Sequence, residues 1–266
     1  MLVRDLMHEG LLTCPPATSL GQAAASLVLH RVHALIVTDA DGTPVGLLSD
    51  TDLLAGEWIS DDAESLRVMQ SMTAGELMST PVMSIAAESS AAEAAARMKH
   101  EHVSRLLVTE ADRPVGVIAV SDLVAHIGSA PLRPRTVKDA MSWGIVVCAP
   151  DTPIAPAARA MTERRSRSLV VVESSGNAVG VLTGHDLLGI YDSPGLVETV
   201  AELMHAPLTI EPEATLREAA DLMLKHEVHR LLVVDETGDG APLGLISTSD
   251  IVAEMAEPGS AWRSNA

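Results

Sequence analysis

Four short stretches carry the residues best placed to do chemistry. Gly46-Leu-Leu-Ser49, Gly116-Val-Ile-Ala119, Gly180-Val-Leu-Thr183 and Gly244-Leu-Ile-Ser247 are each followed by an aspartate, Asp52, Asp122, Asp186 and Asp250, six positions after the glycine. A carboxylate at a helix start can accept two hydrogen bonds from a vicinal diol such as that of ribose, and the helix dipole stabilises its charge. A strand-end hydroxyl and the first helix N–H groups can hold a phosphate. The glycine lets backbone and ligand approach closely. These are groups for binding rather than for making or breaking bonds. They also have a structural use, because Asp, Ser and Thr are favoured helix caps. In any single copy capping alone would account for them.

A second set of polar residues precedes each stretch, at the start of the preceding strand: His33-Ala34, Ser104-Arg105, Arg167-Ser168 and His229-Arg230. Arginine suits phosphate because its planar fork donates in pairs. The Asp250 group is the richest, with Ser247, Ser249, His229 and Arg230. The Asp186 group has Thr183, His185 and Arg167, with Arg164 and Arg165 nearby. The Asp52 group has Ser49, Thr51 and His33 but no arginine after the histidine. The Asp122 group has Arg105 and Ser121, but Ala119 replaces the strand hydroxyl.

Other constellations lead less far. His30-x-x-His33, His100-x-His102 and His226-x-x-His229 are the tightest histidine pairs, and no HExxH or Cys/His finger spacing accompanies them. No metal and no cofactor is expected, and the histidines read as surface or phosphate-facing groups. Cys14 and Cys148 each lie seven residues after a methionine, so they occupy equivalent strand positions and read as packing. Gly238-x-Gly240-x-x-x-Gly244 lies between two strands with the wrong spacing for a dinucleotide loop. No Walker A sequence or nucleophile arrangement is legible. The chain is not expected to be an enzyme.

The elements that must position these groups repeat four times. Successive motif aspartates are 70, 64 and 64 residues apart, and Met7, Met78, Met141 and Met204 precede the four glycines by 39, 38, 39 and 40 residues. Internal repetition of this kind sets the architecture. Each copy opens on a short helical turn, with capping boxes at Thr73…Glu76, Thr136…Asp139 and Thr199…Glu202. A short apolar strand follows. A longer helix comes next, signalled by Ser19…Gln22, Ser90…Glu93 and Thr215…Glu218, with Pro153 in that place in the third copy. Then come continuous apolar runs, Leu35–Val37, Leu106–Val108, Leu169–Val171 and Leu231–Val233, expected as strands buried on both faces. Turn residues such as Asp41-Gly42, Ser175-Gly176-Asn177 and Thr237-Gly238-Asp239-Gly240 lead into the last strand, which ends at the motif. The reading is an α+β protein of four β-α-β-β-α repeats at 1–57, 73–127, 136–191 and 199–255, with linkers at 58–72 and 128–135 and a tail at 256–266. A repeat of some 55 residues buries its sheet poorly alone, so the copies should pair.

The 266 residues carry 18 basic and 36 acidic side chains, a net charge of −18. That balance disfavours nucleic acid and anionic membrane surfaces as partners. With 47% hydrophobic residues and no Phe, the core must be aliphatic. Two cysteines cannot build a disulfide framework. No apolar run approaches a membrane span and the N-terminus lacks a secretory pattern, so a cytoplasmic protein is expected.

The repeat resembles the CBS domain, the regulatory unit named after cystathionine β-synthase. The resemblance rests on Gly-h-x-[Ser/Thr]-x-x-Asp, where h is apolar, met in full by copies one, three and four; copy two departs at Ala119. It implies pseudo-twofold pairing of copies into two Bateman modules, 1–127 and 136–255, a layout similar to the gamma subunit of AMP-activated protein kinase. It implies adenosine ligands, of the AMP, ADP or ATP class, in clefts between paired copies, with the adenine of the Asp250 site bordered by Thr152 and Ala157. A stand-alone sensor acting on an effector protein follows from that resemblance; the alternative is a ligand-free CBS scaffold or stress-related interaction protein. The four copies can close within one chain or each module can pair with a second chain, and a homodimer is the favoured expectation.

Overall fold

Capping side chains set where the long helices begin. The computed structural model describes residues 1–55, 71–126, 135–164, 166–189, 197–235 and 241–257. Ser19, Ser90 and Thr215 each accept from the backbone N–H three residues on, while Gln22, Glu93 and Glu218 reach back to the cap's own N–H. Helices Leu20–His30, Ala91–Glu101 and Leu216–Lys225 follow from these boxes. In the third copy Pro153 stands at the cap of Ile154–Glu163. The short turns form where expected, with the Thr73, Thr136 and Thr199 N–H and hydroxyl groups donating to Glu76, Asp139 and Glu202. The expected linkers, apart from residues 71, 72 and 135, lie outside the described residues, as do Arg165, the turn Thr237–Gly240 and the tail beyond 257.

Each copy builds one small sheet. A short strand runs parallel to a central strand, with the long helix between them in sequence, and an antiparallel hairpin completes the sheet. In the first copy Thr13–Cys14 pairs in parallel with Ala34–Thr38, which pairs antiparallel with Pro44–Ser49. Copies two, three and four repeat this arrangement around Arg105–Glu110, Ser168–Val172 and Arg230–Val234. The expected runs Leu35–Val37, Leu106–Val108, Leu169–Val171 and Leu231–Val233 are buried throughout. No described helix is long and apolar enough to cross a membrane.

The chain divides into two compact units that cut across the repeats. The first comprises Leu12–Val82 and Ile145–Pro207; the second comprises Met1–Leu11, Met83–Gly144 and Leu208–Ala266. Within the first, helices Leu20–His30 and Asp50–Ala55 of copy one pack against Gly184–Leu188 of copy three. Leu20, Leu27, Leu48 and Leu53 share that core with Ile154, Met161, Leu182 and Leu187. Within the second, Thr248–Met255 of copy four packs against Ala91–Glu101 and Val120–Ala125 of copy two. Met98, Leu106, Ile118 and Leu123 share that core with Met223, Leu231, Ile246 and Ile251. These helix faces therefore close within one chain.

The units differ from the repeats because the lead segments are exchanged. Residues 1–11 belong by sequence to copy one, yet His8–Glu9 pairs antiparallel with Arg113–Ala119 of copy two. Ser79, from the start of copy two, bridges Leu47 of copy one. The same exchange joins Ser142 to Leu245 and His205 to Val181. Each lead methionine lies against the glycine of the sister copy: Met78 at Gly46, Met7 at Gly116, Met204 at Gly180 and Met141 at Gly244. At Gly116 and Gly244 the segment's backbone passes too close for a side chain, while at Gly46 and Gly180 the methionine side chain takes that space.

The four glycines should not be equally sensitive to substitution. A Cβ at Gly116 would lie 2.3 Å from the His8 carbonyl oxygen, and one at Gly244 would lie 2.5 Å from that of Ser142. At Gly46 and Gly180 the nearest atoms are instead the sulfurs of Met78 and Met204, ends of flexible side chains. Gly116→Ala and Gly244→Ala should each cost about 1–3 kcal/mol, the range for overpacking. Gly46→Ala and Gly180→Ala should cost distinctly less. Urea unfolding of the four variants checks the order; equal losses would mean that the backbone contact does not set the requirement.

Candidate functional site

The four motif aspartates cap the helices that follow the last strands. In three copies the strand-end N–H and hydroxyl both donate to one carboxylate oxygen. Ser49 donates to Oδ2 of Asp52 at 2.7 and 2.6 Å. Thr183 donates to Oδ2 of Asp186, both contacts 2.7 Å, and Ser247 to Oδ2 of Asp250 at 2.8 and 2.5 Å. In copy two only the Ala119 N–H is available, at 2.7 Å from Oδ2 of Asp122.

The second carboxylate oxygen distinguishes the sites. Oδ1 of Asp52 accepts from the Ser79 hydroxyl at 2.7 Å. Oδ1 of Asp122 meets Nε2 of His8 at 3.0 Å. Oδ1 of Asp186 meets Nε2 of His205 at 2.8 Å. All three partners are the residue after a lead methionine, delivered by the exchanged segments. Ser142 holds that place in the fourth site, where its backbone pairs with Leu245 in both directions. Among the described residues no donor meets the second oxygen of Asp250. The sequence reading missed His8, Ser79 and His205; their constant position after the methionines was the available signal.

Strand register places the expected phosphate contacts beside the motif. Arg230 lies opposite Ser247, Arg105 opposite Ala119, Ala34 opposite Ser49 and Ser168 opposite Thr183. The carbonyls of His33, Arg167 and His229 accept from the first residue of each motif helix, at 3.1, 3.3 and 3.0 Å. His229 and Arg167 are exposed, and Arg230 and Arg105 are half-buried. Thr51 and Ser249 are exposed beside their aspartates, and Ser121 is half-buried. Thr152 receives the Ala149 N–H at 3.1 Å, and Ala157 is buried in the helix it precedes. Both belong to the first unit, Asp250 to the second.

Burial shifts two groups beside the motifs away from their ordinary pKa values. It pushes the Asp250 carboxyl above the ordinary carboxylate range, against the opposing pull of the Ser247 hydroxyl and N–H and the charge of Arg230. It also pushes His185 down, aided by neighbouring His33 and opposed by Asp50 and Asp186. The tight histidine pairs seen in the sequence do not cluster: His30 bonds to the Ser26 carbonyl and His100 to Glu101. Instead His33 faces His185, ring centroids 5.0 Å apart, and its Nδ1 lies 3.0 Å from Oδ2 of Asp50. Cys14 and Cys148 have thiols raised by burial, the state of packing rather than reactive cysteines.

The chain resembles proteins already known. The CBS domain family matches residues 3–57, 74–129, 137–193 and 200–257. An uncharacterised protein of Methanopyrus kandleri is 30% identical over 139 residues, covering 51% of this chain and 70% of that protein. A CBS domain-containing protein of Arabidopsis thaliana is 25% identical over 285 residues, 90% of this chain but only 50% of its own length. Among solved structures, a Methanocaldococcus jannaschii protein described as a proposed archaeal homologue of g-AMPK superposes with a TM-score of 0.82. Its identity is 19%, and the match covers 95% of this chain and 99% of that one, a likeness of fold.

Asp250→Asn separates stability from recognition. A carboxyl whose folded-state pKa is raised binds protons more readily folded than unfolded, so its contribution to stability falls as pH rises through that window. Asparagine keeps an acceptor for the Ser247 donors while removing the charge that burial disfavours, and the helix N-cap, Ser247, is unchanged. The variant should therefore melt above the parent at pH 7. Its advantage should vanish below the unfolded carboxylate pKa of about 3.9. Melting curves across this range check the sign; a variant less stable at pH 7 than at pH 4, relative to the parent, would contradict it.

Proposed function

We propose that this chain, which belongs to the CBS-domain family, is a regulatory sensor that binds an adenosine-containing ligand of the AMP, ADP or ATP class and passes its occupancy to an effector protein. CBS pairs commonly bind such ligands. One observation carries the reading: Asp250 is a half-buried carboxylate with one oxygen fixed by Ser247 and no described donor on the other. A ribose diol supplies the missing donors. Arg230, across the strand pair from Ser247, and neighbouring His229 supply the positive side for phosphate. Ser249, exposed beside Asp250, adds a hydroxyl. A ligand shifts a regulatory equilibrium only through its different affinity for two states, so the signal would be read by whatever partner discriminates the filled from the empty site.

A second reading, a ligand-free interaction scaffold, has its own support. Ser79, His8 and His205 already engage the second oxygens of Asp52, Asp122 and Asp186. Sites satisfied in this way need no ligand.

Melting in the presence of AMP, ADP and ATP separates the two. A ligand at 100 times its Kd adds about 2.7 kcal/mol of stability; no shift with any of them favours the scaffold. Calorimetric titration then tests the site. A charge-assisted hydrogen bond is worth roughly 1.5–3 kcal/mol, so Asp250→Ala should weaken binding about ten- to a hundredfold, at about 1.4 kcal/mol per decade. Asp122→Ala should matter less, because that site lacks the strand hydroxyl and His8 holds its second oxygen. Parent-like affinity in Asp250→Ala would overturn the assignment. Bound nucleotide should also stay intact: phosphate release that tracks the purified protein would contradict a purely binding role.

A further inference from the structure

We propose that His33, Asp50 and His185 form a binding site for a divalent transition-metal ion of the zinc class. One donor atom from each of the three lies within 4.8 Å of the donors of the other two. All three residues belong to the first unit: His33 and Asp50 come from copy one and His185 from copy three. Two imidazoles and a carboxylate suit zinc, cobalt or nickel, whereas magnesium and calcium prefer an all-oxygen shell. Metal bonds of about 2.0–2.2 Å put tetrahedral donors roughly 3.3–3.6 Å apart. His33 Nδ1 and Asp50 Oδ2, 3.0 Å apart, already meet that spacing, and no pair needs to close by more than about 1.5 Å.

An independent observation points the same way. Nδ1 of His185 is shut off from solvent and has no hydrogen-bond partner among the described residues. A buried polar atom left unsatisfied costs free energy, and a cation taking its lone pair would remove that cost. A ligating imidazole must be neutral, and burial keeps His185 on that side. The His33 ring stands tilted against it rather than hydrogen-bonding to it. A bound ion would leave an open position for water or another ligand.

The site belongs to this chain's residues rather than to its repeated framework. Asp50, Val120, Gly184 and Thr248 hold one equivalent position, each donating its N–H to the carbonyl at the start of the preceding strand. Only Asp50 among them is a carboxylate. The proposal is independent of the Asp250 nucleotide site, since it uses none of that site's residues, although His33 and His185 flank the Asp52 and Asp186 motifs.

The test uses untagged full-length protein stripped with a chelator, then titrated calorimetrically with zinc and followed with cobalt by its visible d–d absorption. One ion per chain is expected, with the intense bands of a low-symmetry nitrogen–oxygen site, and zinc should raise the melting temperature while magnesium should not. His33→Ala and His185→Ala should each lose at least tenfold in affinity and lose the zinc-induced shift. His30→Ala and Cys148→Ser, checked with them for native circular dichroism, should bind as the parent does. No binding above a protein-free control would overturn the proposal. So would undiminished binding in both histidine variants, or loss of binding in Cys148→Ser, which would move the ligands to a thiol.

Discussion

The close passage of a lead segment over a glycine of the sister copy is the constraint on which the rest of this structure depends. At each crossing the segment makes backbone contact with the last strand: Ser79 and Leu47, for example, exchange two hydrogen bonds of 2.8 and 3.1 Å. That pairing requires a strand position with no side chain, which Gly46, Gly116, Gly180 and Gly244 provide. Once the segment is seated, its methionine fills the space over the glycine and the next residue is delivered to the motif aspartate. Asp52, Asp122 and Asp186 are then held from two directions, by the cap of the helix each begins and by a segment that sequence assigns to another copy. Fold and candidate site rest on the same contact.

Much of this was legible in the sequence because its causes are local. Capping boxes, the buried runs of the central strands and the turn residues each act within a few positions, and they recur from copy to copy, with Pro153 replacing the long-helix box in the third. The methionine-to-glycine spacing was equally visible, but its meaning was not. In a regular repeat, a contact within one copy and a contact exchanged with the next give equally constant spacings. Sequence regularity cannot distinguish them; the crossing of Met7 over Gly116 rather than Gly46 does. For the same reason spacing along the chain does not tell which histidines meet. His30 and His33 are close along the helix end, but the 3.6-residue period and the left-handed turn at Arg31 send them to different surroundings. His33 meets His185, a residue from a distant copy. Pairing of copy one with copy three is a product of helix-face packing, and an aliphatic face made of Leu and Ala carries no label for its partner.

The four sites also show why a motif by itself is a poor guide to ligand binding. The cap uses one carboxylate oxygen, recurs in every copy and would be needed whether or not anything binds. The other oxygen is not used by the cap, and its surroundings come from a segment outside the motif. At Asp122 and Asp186 that segment brings a histidine, at Asp52 a serine hydroxyl, and at Asp250 no described donor. Burial then acts on what remains. A carboxylate satisfied on both oxygens is comfortable where it is, whereas one satisfied on a single oxygen in a desolvated place is held at a cost, which is the condition Asp250 displays. A group kept in that condition beside Arg230 gains most from a ligand that brings its own hydroxyl donors. The type of residue after each lead methionine does not decide this alone: Ser79 donates to the second oxygen of Asp52, whereas Ser142, a serine in the same place, is paired through its backbone with Leu245, so it is where that side chain is set that leaves Asp250 an oxygen to offer.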